Sequence, residues 1–185
     1  MLNKIRITHQ LIKYFLIVVL IANVQIGLAD VTTNSDNTHA AMIVLDIELL
    51  GDTSVESMKD QDIQLIKKFS GVLRRSLKEH KSIDVIDDAH SIAMIEQAAQ
   101  DQYLHRCNGC ELQMGKTLGA KQVIVPWVFR MSKLVQTMYV EIRDVETGRI
   151  VMRKGLDFRG NTDNGWAHVI NRHVQEIAVS VEATS

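Results

Sequence analysis

The chain has 185 residues, of which 46% are hydrophobic, with 21 basic residues, 22 acidic residues and two cysteines. A disordered chain would carry fewer apolar residues and a larger charge imbalance, and a disulfide-rich miniprotein would carry more cysteine. A nucleic-acid-binding domain would usually show a basic excess, so the composition indicates one globular domain without a nucleic-acid partner.

The first 29 residues have the three parts of a secretory signal peptide and are predicted to be removed. Three basic residues among the first 13 precede an uncharged, mostly apolar run over residues 14–29, and Gly27 and Ala29 are the small residues before Asp30. The alternative is a membrane anchor. About 20 apolar residues are needed to span a bilayer, whereas this run has two polar interruptions, so cleavage is favoured.

Cleavage before Asp30 removes three basic residues and changes the formal net charge from −1 to −4. Weak acidity favours solubility and argues further against nucleic acid as a partner. Residues 30–40 are polar and are predicted to form a flexible tail, and residues 41–185 a single domain. The protein is therefore expected to be periplasmic and free of the membrane once the signal is removed.

The first strand is predicted over residues 41–50, followed by an amphipathic helix over about 57–79 that starts at a Ser57–Asp60 capping pair. On the strand, Asp46 and Glu48 indicate a solvated side. The apolar face of the strand is formed by alternate residues: Ile43, Leu45, Ile47 and Leu49. The helix has an apolar stripe at helical spacing: Ile63, Ile66, Phe69, Leu73 and Leu77. Its basic residues are expected to be solvated: Lys67, Lys68, Arg74, Arg75 and Lys78.

A short strand at 83–86 and a helix capped by Asp87 or Asp88 come next, followed by a helix that begins near Asn108 and ends at Gly119. Strands are predicted over 123–129, over 134–144 and from residue 150. Pro126 cannot donate to a sheet, so it indicates an edge strand or a bulge. The last helix has a buried stripe: Trp166, Ile170, Val174, Ile177 and Val181. Its two histidines, His168 and His173, lie off that stripe and are expected to be solvated.

The predicted order is β-α-β-α-α-β-β-β-α, an α/β fold with α+β character. Strands separated by helices are expected to pair in parallel through right-handed crossovers, and the last three strands to form an antiparallel meander. The sequence therefore predicts a mixed sheet of about five strands with helices packed on it.

Several short sequence motifs occur in an order that resembles that of a known fold group. They are MIVLDIELLGDTS, IDVIDD, KTLGAKQVIVPWVFRMS and VEIRDVETGRIV, and together they cover residues 41–160. They resemble the amino-terminal domain of TolB and CsgG-type domains. The added CNGC and DFRGNTDNGW are closer to an uncharacterised family of small secreted bacterial proteins. The resemblance implies a non-catalytic envelope module and transfers no catalytic residue, cofactor or pore-forming segment.

Cys107 and Cys110 are the sharpest local feature. In an oxidising compartment two cysteines three residues apart are expected to form a disulfide, which would hold the turn before the following helix. Thiol–disulfide exchange is an alternative, because a cysteine at a helix start can be reactive. Metal binding by His105 with the two cysteines is another, although a fourth ligand is missing. A c-type haem is excluded, because Glu111 stands where histidine is required.

The polar segment between the last strand and the last helix is a candidate partner-contact loop. The residues proposed for contact are Arg159, Asn161, Asp163 and Trp166. Alternatively, the loop caps the helix and Trp166 anchors the core. No P-loop, nucleophile elbow or zinc-protease motif occurs, so catalysis is not favoured and no cofactor or metal is expected. The leading hypothesis is a periplasmic accessory module that binds an envelope protein, followed by a redox protein and by a small-ligand cleft at the sheet edge.

Overall fold

The computed structural model describes residues 40–53, 58–132 and 134–183. The predicted signal peptide, tail residues 30–39 and Ser57 lie outside these ranges. The strands are β1 (Ala41–Val44), β2 (Glu48–Gly51), β3 (Asp84–Val85), β4 (Gln122–Arg130), β5 (Val135–Asp144) and β6 (Ile150–Arg159). The helices are α1 (Lys59–Lys78), α2 (Ala89–Asp101), α3 (Cys110–Thr117) and α4 (Asp163–Glu182), with a 3-10 turn at Leu104–Arg106 between α2 and α3. Within the described ranges, every helix is too short or too polar to cross a membrane.

The six strands form one mixed sheet in the order β3-β1-β4-β5-β6, with β2 beside β4 in line with β1. Strands β1, β2, β3 and β4 run parallel, whereas β4, β5 and β6 form an antiparallel meander. The predicted mixed sheet, its parallel crossovers and its meander are confirmed. The sixth strand arises because the predicted first strand is divided into β1 and β2.

The division is a β-bulge of one residue. Val44 pairs with Ile124 and Glu48 pairs with Trp127, so the first chain advances four residues while β4 advances three. Because side chains alternate along a strand, one extra residue moves the following side chains to the opposite face. The predicted common apolar face is therefore wrong after Leu45, since Ile47 packs with Met42 and Val44 rather than with Leu45.

Two polar side chains of α1 hold the bulge. The Ser70 hydroxyl accepts a hydrogen bond of 2.9 Å from the Ile47 backbone N–H. Arg74 donates from Nε to the Val44 carbonyl at 3.0 Å and from Nη2 to the Asp46 carboxylate at 2.5 Å. The prediction that Arg74 is solvated is wrong. Its side chain is buried because it binds the Val44 carbonyl and the Asp46 carboxylate, which the bulge leaves unpaired.

Pro126 lies in the middle of the sheet, opposite the bulge, so the prediction of an edge strand is wrong and that of a bulge is correct. The Ile124 carbonyl accepts from the Leu45 N–H. Two residues further along β4, Pro126 directs its nitrogen towards the same neighbour, where residues 45–47 leave the regular ladder. The missing N–H therefore costs no hydrogen bond of the sheet.

Two apolar cores lie on opposite faces of the sheet. On one face α1 and α4 pack over the whole width, and on the other α2, the 3-10 turn and α3 pack over β1 and the start of β4. The predicted stripe of α4 is confirmed, since all five of its residues are buried. In α1 Leu65 is buried in place of Ile63, which is 63% exposed, and in α4 the predicted solvation of His173 is wrong because it is fully buried.

Candidate functional site

An exposed apolar surface lies at the tip of the β4–β5 hairpin. Nine large hydrophobic side chains are exposed among the described residues, and four of them lie at this hairpin. We call these four the hairpin patch: Phe129 (43% exposed), Met131 (67%), Leu134 (70%) and Val135 (41%). Scattered apolar side chains are normal on a surface, but contiguous ones are typical of contact sites.

A buried ion pair supports the hairpin patch from below. Arg130, at the end of β4, donates from both terminal nitrogens to the two carboxylate oxygens of Asp62 in α1, each at 2.7 Å. Its Nε lies 3.4 Å from Gln136, which donates in turn to the Gly160 carbonyl at 3.1 Å. A bidentate pair fixes both distance and orientation. The two ends of the hairpin are therefore held against α1 and the β6–α4 loop.

The predicted partner-contact loop lies next to the hairpin patch. The Gly160 N–H donates to the Leu134 carbonyl at 3.2 Å, and Arg159 pairs with Val135 in the sheet. Arg159 and Asp163 are exposed, and Asp163 forms an exposed ion pair with Lys68. The structure thus brings exposed loop residues beside an apolar patch that the sequence did not single out, and the contact role of the loop stays a prediction.

Trp166 and Asn161 have internal positions. The fully buried Trp166 ring stacks on Phe69 and meets Phe158 edge-on, with both ring centroids 5.3 Å away. Its Nε1 donates to the Asn161 Oδ1 at 3.1 Å, and the Asn161 amide lies 3.5 Å from Asp62. Trp166 is thus placed as the core anchor, and Asn161 links the contact loop to the buried ion pair.

The sheet face that carries Phe129 and Val135 continues as a row of rings. Trp127 stacks on Tyr139 at 5.3 Å and on His105 at 5.7 Å. Tyr139 lies over Gly155, where an added Cβ would come within 2.7 Å of the ring. Alternate residues of β6 on this face are exposed, in contrast to the buried Leu156 and Phe158 on the other. The β6 side of this sheet face is therefore open beside the hairpin patch.

The Cys107–Cys110 turn is a compact structure at the start of α3. The two sulfurs lie within bonding distance, and the Cα atoms are 5.5 Å apart. Asn108 and Gly109 both adopt left-handed backbone conformations, with φ of 56° and 103°. The predicted Asn108 side-chain cap is not formed, because Gly109 occupies the cap position and donates its N–H to Glu111 at 3.1 Å.

A carboxylate lies directly at this turn. The buried Glu111 is 3.1 Å from the Cys107 sulfur and accepts from Arg143 at 2.6 Å. Burial opposes the charge of Arg143, but hydrogen bonds to Glu141 and Glu111 raise its pKa. Reactive cysteines lie in electropositive surroundings, whereas the group against the Cys107 sulfur is a buried carboxylate. The surroundings of the cysteines give no support to the redox hypothesis.

The structure changes the set of ligands that a metal ion could have at this turn. Cys107, Cys110 and Glu111 place their donor atoms within 4.8 Å of one another, and they are the group found among the described residues that could hold an ion. His105, the predicted third ligand, is outside that group, and its Nδ1 contacts the Glu48 carboxylate. Two sulfurs joined in a disulfide cannot serve as thiolate ligands, so the same atoms cannot serve both roles at once.

A groove opens along the outer edge of β2, between α1 and α2. Its floor is residues 46–49, and its volume is about 370 Å³. We call it the β2 groove, and its walls are formed by Ile63, Ile66 and Lys67 from α1 and by Glu96, Ala99 and Gln100 from α2, with Tyr103 at one end. The Glu48 carboxylate accepts the backbone N–H groups of Leu104 and His105, which fixes the 3-10 turn next to Tyr103. This is a cleft at a sheet edge, as one of the sequence hypotheses requires.

The sequence pattern of one protein family matches residues 40–177. The chain belongs to the DUF3280 family. That family is described as "Protein of unknown function (DUF2380)". None of the curated proteins matches the chain by sequence. Membership in an uncharacterised family, as the resemblance implied, is confirmed.

Several solved structures are similar to the chain at low sequence identity. The hypothetical protein CT253 from Chlamydia trachomatis is 13% identical, with a TM-score of 0.51 and coverage of 78% of this chain and 99% of that one. The LpoB C-terminal domain from Salmonella enterica is 13% identical, with a TM-score of 0.49 and coverage of 66% and 85%. TolB from Acinetobacter baumannii is 6% identical, with a TM-score of 0.42 and coverage of 78% and 27%. At such identities the likeness to CT253 concerns the fold alone.

Proposed function

We propose that the protein is a non-enzymatic accessory module of the bacterial envelope that binds another envelope protein through the hairpin patch. The observation that carries the proposal is the clustering of Phe129, Met131, Leu134 and Val135 at one end of the sheet. The envelope location is supported by the signal-like residues 1–29 and by the resemblance described above.

The support of the hairpin patch favours protein binding over incidental exposure. The Arg130–Asp62 pair is nearly inaccessible to solvent, and it ties the patch to α1. A surface that is already ordered loses little conformational entropy when a partner binds. The open sheet face with Trp127 and Tyr139 extends the available area beyond the hairpin itself.

The charges around the patch define the chemistry of the partner. Arg159 is exposed beside Val135, and the described residues offer it no ion pair. Arg153, six residues earlier in β6, is in contrast bound to the buried Glu141. The partner surface is expected to be apolar in the centre, with an acidic group placed opposite Arg159, because charge complementarity sets the register of an interface.

Site-specific photo-crosslinking in intact cells tests the proposal. A photoreactive residue at Met131 or Leu134 is expected to give one dominant adduct with an envelope protein at native expression levels. The same residue at Val179, which is 66% exposed on α4, is the matched control and is expected to give no such adduct.

Charge substitution provides the second arm. The double variant Met131→Asp/Leu134→Asp is expected to abolish the adduct formed from a probe at Phe129, because aspartate cannot be buried against an apolar partner without a large desolvation cost. Val179→Asp is expected to leave it intact. Equal adduct formation in both variants, or adducts spread over many proteins, would contradict the proposed surface.

A further inference from the structure

The outer edge of β2 is open where it faces the β2 groove. Among the described residues, β2 pairs with β4 alone, whereas the neighbouring β1 has β3 on its outer side. Strand β3 ends at Val85, and its last bond to the sheet edge runs from the Ile86 N–H to the Met42 carbonyl. The edge of the sheet therefore continues past the end of β3 without a strand to cover it.

The pairing register shows which backbone groups face the groove. Asp52 donates its N–H to the Arg130 carbonyl, so Asp52, Leu50 and Glu48 direct their backbone groups towards β4. By alternation, Leu49 directs its N–H and carbonyl outward. Within the part of the chain that the structure describes, these two groups have no hydrogen-bond partner. An unpaired donor and acceptor on a strand edge form a template for an added strand.

The side chains of α1 determine where such a strand can begin. The Val44 carbonyl is bonded to Arg74, and the Ile47 N–H is bonded to Ser70. Both groups are therefore occupied along the bulge, and past it the outward-facing pair is that of Leu49. An added strand, which rises about 3.3 Å per residue, could therefore pair with β2 over only a short length. It would bind mainly through its side chains.

The walls of the groove suit the side chains of an extended segment. Ile63, Ile66 and Ala99 provide apolar surface on both sides of Leu49, and Tyr103 closes one end. In an extended chain successive side chains point to opposite sides, so alternate apolar residues would meet α1 and α2 in turn. A helix could not use the Leu49 backbone groups, because its own backbone is internally bonded.

From these observations we infer that the β2 groove binds an extended segment of a partner polypeptide, which pairs with the backbone of Leu49 and carries alternating apolar side chains. Two opposite charges on the rim distinguish the two walls of the groove. Lys67 stands on the α1 wall and Glu96 on the α2 wall, and neither forms an ion pair within the described residues. The segment is expected to carry an acidic group on the α1 side and a basic group on the α2 side. This site does not depend on the hairpin patch.

Selection from a phage-displayed library of random decapeptides, with the full chain as target, tests the inference. The Ile63→Arg chain serves as the comparison target after selection, since Ile63 is mostly exposed and its replacement leaves the core intact. Selected peptides are expected to show apolar residues at every second position. Their affinity is expected to fall about tenfold for Ile63→Arg and to stay within about twofold for Val179→Arg, the matched exposed control.

Two measurements distinguish strand pairing from apolar contact alone. Hydrogen exchange of the Leu49 amide is expected to slow when a selected peptide is bound. Methylation of the one peptide nitrogen that pairs with the Leu49 carbonyl is expected to weaken binding about tenfold, whereas methylation of either neighbour has a much smaller effect. Thermal melting of each variant verifies that it is folded.

Several outcomes would overturn the inference. These are the absence of enriched peptides, enriched peptides with apolar residues at helical spacing, equal binding to the Ile63→Arg chain, and unchanged exchange at Leu49. The hairpin variant Met131→Asp/Leu134→Asp is expected to bind the selected peptides normally. Loss of peptide binding and loss of the envelope adduct can therefore be observed separately.

Discussion

His173 is a titratable residue in the apolar core, between α4 and β5. One ring nitrogen lies 3.0 Å from the Met138 carbonyl, and the other has no hydrogen-bond partner among the residues that the structure describes. Burial is the main cause that lowers the pKa of His173 to about 4, with Arg172 and Lys154 acting in the same direction and Glu176 against it. The ring is therefore neutral in the folded protein at neutral pH.

The stability of the protein is expected to depend on pH through this residue. An unfolded chain binds the proton with a pKa near 6.5, above the folded value, so the folded state binds fewer protons between the two. The free energy of unfolding should be unaffected by His173 above pH 6.5 and should fall as the pH decreases towards 4, by up to about 3 kcal/mol. Urea denaturation at pH 7 and at pH 4.5 measures the difference.

The variant His173→Gln provides the comparison, because an amide can still donate to Met138 but does not titrate. It is expected to be somewhat less stable at pH 7 and to lose less stability on acidification than the natural chain. Replacement of the exposed His168 on the same helix should leave the acid dependence unchanged. If His173→Gln had the same pH dependence as the natural chain, the assignment would be wrong.

At the scale of single elements, the spacing of apolar residues predicted the buried face where a helix or strand is regular. The α4 stripe is correct because its apolar residues recur at helical spacing without interruption. The bulge after Val44 could not be predicted from alternation, because both possible faces carry apolar residues and both are buried. The roles of Ser70 and Arg74 could not be predicted from the sequence, since only the fold shows the backbone groups to which they bind.

The candidate site, too, could be predicted only in part from the sequence. The polarity of the segment between the last strand and the last helix indicated the contact loop over residues 159–166. It did not indicate the neighbouring hairpin patch, because exposed Met131 and Leu134 look like ordinary strand and turn residues in the sequence. The edge along the β2 groove is open because β3 ends at Val85, whereas the sheet edge continues through β2. A site that depends on where neighbouring strands end is visible only after the pairing register is known.

The turn at Cys107 and Cys110 carries a prediction at the same scale. A ring closed over so few residues restricts the unfolded chain only slightly, and chain entropy limits its contribution to about 2 kcal/mol. Cys107→Ser/Cys110→Ser should therefore lower the free energy of unfolding by no more than that amount. Chemical denaturation with and without dithiothreitol measures it, and the reductant should have no effect on the double variant.

The binding sites provide the control for this change. Both the hairpin patch and the β2 groove lie outside the turn, so crosslinking from Met131 and binding of selected peptides should persist in the double variant. Because the Glu111 carboxylate, and not a basic group, lies against the Cys107 sulfur, the natural chain should also fail to catalyse insulin reduction. Catalysis that disappears in the double variant would restore the redox hypothesis.

At the scale of the whole molecule, the compartment determines whether the turn is oxidised and which partners are available. Disulfides persist in the periplasm and are rare in the cytosol. We propose that residues 1–29 are cleaved during export, so that the mature chain begins at Asp30. Amino-terminal sequencing of the protein recovered from a periplasmic fraction is expected to read Asp30 first.

The substitution Ala29→Phe tests the processing step, because signal cleavage requires a small residue immediately before the cut. The variant is expected to keep its apolar segment and to fractionate with the membrane, whereas Val31→Phe, two residues further on, should be processed normally. Oxidation of Cys107 and Cys110 should be the same in both variants, since the domain of each variant would reach the periplasm. A natural chain recovered with residues 1–29 still attached would show that the segment is an anchor, and the partner at the hairpin patch would then be sought at the membrane surface.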